Sequence, residues 1–123
     1  MARHNLLGEK GEEAARVYLK RNGYKIIEQN RRTKRGEVDI IARYKEWLVF
    51  VEVRAKSGQE LGTPEETIDW RKKRKLERNA QAYVFYTKYK GLFRIDAVCV
   101  VFDELGGVSR LTHYENIVEN PQR

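Results

Sequence analysis

The chain has one cysteine, two prolines and no long apolar run. Cys99 alone cannot build a disulfide framework or a cysteine-rich zinc site. It lies inside Ala97-Val98-Cys99-Val100-Val101, where a thiol behaves as a small buried hydrophobe. No stretch approaches the roughly 20 apolar residues that a membrane span needs. The N-terminal Met-Ala-Arg-His-Asn-Leu-Leu-Gly-Glu-Lys lacks the apolar centre of a secretion signal. The expectation is a cytoplasmic protein with no membrane partner. Pro-rich, Gly-rich and repeated segments are also missing, so no linker divides the 123 residues and a single domain over 1–123 is expected.

Basic residues are plentiful. Lys and Arg number 25 against 18 Asp and Glu, a net charge of +7. A small basic protein commonly meets a polyanion, most often nucleic acid. Hydrophobic residues at 41% recur in blocks, which argues for a folded core.

Leu7, Gly11, Ala14, Ala15, Tyr18 and Leu19 recur at a helical period, predicting a helix over 5–22 that Gly23 stops. Tyr24–Asn30 reads as a strand, and Arg31-Arg32-Thr33-Lys34-Arg35-Gly36 as a basic turn. Two strands follow, Glu37–Arg43 and Trp47–Ala55, close enough to form an antiparallel hairpin. Thr63-Pro64-Glu65-Glu66 carries the chemistry of a helix start. Either one helix runs from there or a second starts near Asp69. Helical spacing continues through Lys72, Leu76, Ala80, Tyr83 and Val84 to about Tyr89, with Gly91 as the stop. Phe93–Phe102 is a strand and Gly106-Gly107 a turn. Residues 108–117 form a weaker final element, and the last few residues are expected to fray. The order is α-β-β-β-α-β with a small addition over 104–123, an α/β fold with a mixed central sheet flanked by helices.

Alternation along a strand places Leu48, Phe50, Glu52, Arg54 and Lys56 on one face, and Glu37, Asp39 and Ile41 on one face of the preceding strand. Asp39 and Glu52 therefore sit within apolar strands. Two such carboxylates side by side require a cation, and a hard divalent ion with oxygen ligands answers the need. Two carboxylates, a metal and a nearby cation are the elements of phosphodiester hydrolysis.

The same residues resemble a known group. An acid on the second strand and Glu-x-Lys on the third is similar to the PD-(D/E)-x-K nuclease core, of the restriction endonuclease-like fold and including Holliday-junction resolvases. More closely, the chain resembles the YraN-like family of small bacterial proteins. The likeness rests on Gly11-Glu12, Ala15, Gly23-Tyr24, Asn30, Gly36-Glu37-Val38-Asp39-Ile40-Ile41-Ala42, Val49-Phe50-Val51-Glu52-Val53-Arg54, Lys72 with Leu76, and Arg94-Ile95-Asp96. It implies a divalent-metal-dependent endonuclease acting on DNA, branched or structured DNA included, with Mg²⁺ or Mn²⁺ as cofactor. Two other readings stay open: a nucleic-acid-binding protein that keeps the nuclease fold without cutting, and a basic protein-interaction module. A symmetric junction cut would also call for a homodimer.

The resemblance implies that Asp39 and Glu52 are catalytic metal ligands and that Glu12 is a further ligand. Arg54 stands where the superfamily carries Lys, with Lys56 and Lys72 as the nearby ammonium groups. Glu37 and Asp96 are candidates to support the site from behind. The cations expected to touch nucleic acid are Arg31, Arg32, Lys34, Arg35, Arg71, Lys72, Lys73 and Lys75. His4 and His113 have no ligand-like spacing. Tyr83, Phe85, Tyr86 and Tyr89 read as packing residues.

Overall fold

The computed structural model describes residues 3–58 and 60–118. Helix α1 (Arg3–Arg21) is followed by strands β1 (Lys25–Thr33), β2 (Gly36–Tyr44) and β3 (Trp47–Ser57). A single 3₁₀ turn (Pro64–Thr67) and helix α2 (Trp70–Thr87) lead to β4 (Leu92–Phe102) and β5 (Val108–Tyr114). The five strands form one sheet in chain order. All neighbours are antiparallel except β3 and β4, which run parallel from Trp47↔Leu92 to Ser57↔Phe102. A parallel pair needs a long crossover, and α2 supplies it. This is the α-β-β-β-α-β core expected from the sequence.

The two helices cover opposite faces. Ala15 and Leu19 of α1 pack on Ile40, Ala42, Val49, Val51, Val98 and Val100. Leu76, Ala80 and Tyr83 of α2 pack on Ile41, Leu48, Phe50, Phe93 and Ile95. Strand β4 is buried on both faces, which explains its unbroken apolar run. Gly11 allows α1 to approach the sheet: a Cβ there would lie 2.8 Å from Cβ of Ala55. Gly23 ends α1 in the left-handed region at φ 88°, as its place in the sequence predicts.

Two boundaries differ from the sequence reading, and two points it left open are resolved. The basic stretch after Asn30 is mostly strand, not turn, and only Lys34-Arg35 lies between β1 and β2. Pairing with β2 holds this stretch extended, and Arg31 is tethered to Glu28 at 2.7 Å. The open question at Thr63 resolves into two elements. Thr63 caps the 3₁₀ turn with a capping box, and Asp69 separately caps α2. Helix α2 stops at Lys88, in the left-handed region at φ 58°, so Gly91 lies beyond its end. The final element is a true strand, paired with β4. The expected fraying of the last residues falls outside the described residues.

Candidate metal centre and cationic groove

Strands β2 and β3 pair only as far as Ile40↔Val51. One residue beyond, the ladder opens and Asp39 fills the gap: its Oδ2 accepts from the Val53 backbone N–H at 2.9 Å. That contact replaces a lost ladder bond and fixes the carboxyl beside β3. Glu52, only 6% exposed, lies against it on the α2 side. The Glu52 carboxyl stands close enough to Asp39 for its charge to act on it. Burial and then the Glu52 charge push the Asp39 carboxyl up to about 8, against the smaller opposing effect of the Val53 N–H.

Two cations flank Glu52. Arg54 Nε donates to Glu52 Oε2 at 2.9 Å, and Lys72 Nζ of α2 stands 3.4 Å from the same oxygen. The strand places Arg54 and the helix places Lys72, so they approach from different elements. Glu12 enters from α1. It is half-buried, and burial raises its carboxyl while a hydrogen bond with the Asn30 side chain opposes the rise. The charges of Glu37 and Glu52 also act on it. Glu37 itself is exposed at the start of β2. Lys56 turns to another task, its Nζ donating to the Leu61 carbonyl at 3.4 Å. Among the described residues, no three carboxylate, imidazole or thiol groups form a complete metal shell. Asp39 and Glu52 make the tight pair, and Glu12 stands close enough for its charge to be felt at Asp39.

The predicted phosphate-binding cations separate into groups. Lys34 and Arg35 of the β1–β2 turn face Arg71 and Lys75 of α2 across a concavity of about 740 Å³. Lys72 belongs to Glu52 instead. Arg31 is neutralised by Glu28 and lies over the Tyr83 ring, its Cζ 5.2 Å from the centroid. Lys73 lines a different hollow beside Glu65 and Cys99. Arg32 is exposed on β1.

Asp96 points away from this site, to the α1 side of the sheet. It accepts from Arg94 Nε at 3.0 Å, from the Asn116 backbone N–H at 2.9 Å and from His113 Nε2 at 2.8 Å. Arg94 continues to the Tyr24 hydroxyl, and His113 Nδ1 meets the Tyr18 hydroxyl. Its salt bridge thus ties β4 to β5 and α1, and no contact links it to Asp39 or Glu52. His113 is committed to the same network. The side chain of His4 lies outside the described residues.

The family model described as "Uncharacterised protein family UPF0102" matches residues 11–100, which include Glu12, Asp39, Glu52, Arg54 and Lys72. The chain belongs to the UPF0102 family, the YraN-like group. A UPF0102 protein of Pelotomaculum thermopropionicum is 44% identical over 115 residues, covering 90% of this chain and 93% of its own length. One from Desulforamulus reducens is 42% identical over 117 residues, with 89% and 93% covered. One from Thermotoga petrophila is 48% identical over 92 residues, with 75% and 83% covered.

For this UPF0102 chain, the sequence reading missed three groove residues: Trp70, Arg74 and Arg78. Their spacing of four was the available signal, because residues i, i+4 and i+8 line one helix face. It also gave Asn30 no role. Its positive φ of 51° marks it as a special position, and its side chain holds Glu12.

Proposed function

We propose that the chain is a divalent-metal-dependent nuclease-like protein that acts on DNA in the cytoplasm. The observation that carries this reading is the contact between Asp39 and Glu52 inside the sheet, with Arg54 and Lys72 against Glu52. Arg54 and Lys72 already answer Glu52, so the half-buried Asp39 beside it gains its charge readily only when a further cation is present. Mg²⁺ or Mn²⁺ fits this hard-oxygen donor set, with Glu12 close by, and both ions keep waters in positions the protein leaves open. Such an ion, when bound, would polarise a phosphate oxygen and acidify a water.

The chain's own groups have separate tasks. The Val53 N–H orients Asp39, and the Arg54 fork orients Glu52. Lys72 supplies the compact ammonium that the third strand lacks at position 54. Arg54 stays protonated, so it can hold phosphate oxygens but cannot act as a base.

A second reading, a nucleic-acid binder that does not cut, is favoured by one observation: Arg54 occupies the Lys position and is already engaged with Glu52. The deciding experiment assays purified protein with Mg²⁺ and Mn²⁺ on linear, single-stranded and four-way-junction DNA, beside Asp39→Ala. Weak, Mn²⁺-favouring cleavage that Asp39→Ala abolishes is expected. Arg54→Lys should raise it, and Arg54→Ala should weaken both binding and cutting. Loss of Lys72 should lower cleavage by about 10²–10³, the range for removing one group that stabilises transition-state charge. Fast cutting that survives Asp39→Ala would overturn the nuclease reading. A homodimer presenting two sites would suit a branched substrate, and light scattering with and without junction DNA tests it.

A further inference from the structure

The cationic concavity between the β1–β2 turn and α2 is separate from the carboxylate pair. One wall is a row along α2: Trp70, Arg74 and Arg78, with Arg71 and Lys75 beside it. Lys34 and Arg35 form the other wall. Among the described residues no ion pair engages any of these six cations. Glu77, the one acid of α2, does not line the concavity. Trp70 is 65% exposed, and the Arg71 guanidinium lies over its ring, Cζ 5.4 Å from the centroid.

An uncompensated cluster of this density is arranged for an anion outside the chain. Four of the six cations are Arg, whose planar fork matches phosphate oxygens in pairs. The wide-open indole narrows the choice further. In a duplex the base faces are stacked on one another and unavailable. A base in an unpaired strand offers a free face, and stacking on an aromatic ring is the usual way such strands are held. The row from Trp70 to Arg78 rises about 12 Å, long enough for a short run of strand.

We propose that this groove binds an unpaired nucleic-acid strand, with a base stacked on Trp70 and phosphates on Arg71, Arg74, Lys75 and Arg78. The proposal rests on residues other than those of the nuclease reading and deepens it by naming the substrate class. The two sites share one helix. The first residue of β2, Gly36, sits against Asn79 and Lys75, and Asn79 also lines the hollow behind Glu52.

The test uses the full chain in EDTA, with an unstructured DNA single strand, the matching duplex and polyglutamate as probes. Binding is followed by tryptophan emission and by titration at several salt concentrations. The single strand should bind tighter than the duplex and quench emission. Raising salt from about 50 to 200 mM should weaken strand binding about 50-fold if four phosphates are engaged. Trp70→Ala should cost about 5- to 150-fold in strand affinity and remove the quench, with little effect on duplex binding. The double change Arg74→Gln with Arg78→Gln should flatten the salt slope by about 1.4. Duplex binding as tight as strand binding, with Trp70→Ala changing nothing, would overturn the proposal. So would polyglutamate competing as well as DNA at equal charge, which would point to an acidic protein partner. Failure to cleave with Mn²⁺ defeats the nuclease reading and leaves this result standing. A silent Trp70 leaves any Asp39-dependent cleavage standing.

Discussion

Two carboxylates, half-buried Asp39 and buried Asp96, belong to the same sheet but are treated oppositely by their surroundings. Asp96, wholly buried, has Arg94, His113 and the Asn116 N–H around it, so every face of its charge is answered. Asp39 has one backbone N–H and a second carboxyl, Glu52. Burial and that neighbour push Asp39 up to about 8. The first acid is part of the scaffold. The second is left incomplete, and a carboxyl perturbed in this way marks a candidate for a functional site. The difference lies in what surrounds each carboxylate: the more deeply buried of the two is the one whose charge is answered.

Removing the satisfied acid should do the most damage. Asp96→Ala leaves the charge of the buried Arg94 with only the looser Glu115 contact at 3.8 Å, and breaking a buried pair typically costs about 3–5 kcal/mol. Urea unfolding at pH 7 measures it. A loss well under that range would mean that the network is ornamental.

The unsatisfied acid should respond to metal. Mn²⁺ at 100 times its dissociation constant stabilises a protein by about 2.7 kcal/mol through mass action. Thermal unfolding should show that gain for the parent chain and little for Asp39→Asn. An equal gain in both would place the ion elsewhere.

The third prediction concerns pH without metal. A carboxyl raised in the folded state contributes its full stability below its unfolded pKa and loses it as pH rises through the folded value. For Asp39 the window runs from roughly 4, the unfolded value, to about 8. The metal-free parent should weaken across that window, and Asp39→Asn should recover about 1–3 kcal/mol at its upper end. Urea midpoints at the two ends decide it.

Glu65 gives the smallest effect and a control of opposite sign. The hydrogen bond from Arg110 pulls it down to about 2, opposed by burial and helped by Tyr114. Its stabilisation is present above the unfolded value and fades as pH falls toward 2. Glu65→Gln should therefore narrow the gap in melting temperature between neutral and acid solution. Because this pair is partly exposed, added salt should shrink the effect.

Much of the site was legible in the chain. Strand alternation placed Glu52 with Leu48 and Phe50, and these three do lie beneath α2. The helical period sets Ala15 and Leu19 against the sheet. Lys72, four residues before Leu76, was seen to face inward, and it meets Glu52.

What periodicity could not reveal was partnership. Arg94-Ile95-Asp96 and Glu52-Val53-Arg54 look alike, each an acid and an Arg two residues apart on one strand face. They diverge because His113 and Asn116 arrive from the segment after β4 at one, while Asp39 arrives from β2 at the other. The basic residues divide in the same manner. Their sequence leads one to expect a polyanion-binding surface, but Arg31 is spent on Glu28, Lys72 on Glu52, and Lys73 faces another hollow. The chain by itself determined the strands, the helix faces and the types of charge, because these follow from local spacing. Only the tertiary structure decided which charges are answered, because a side chain's partners come from segments tens of residues away, brought beside it by the strand register and the α2 crossover.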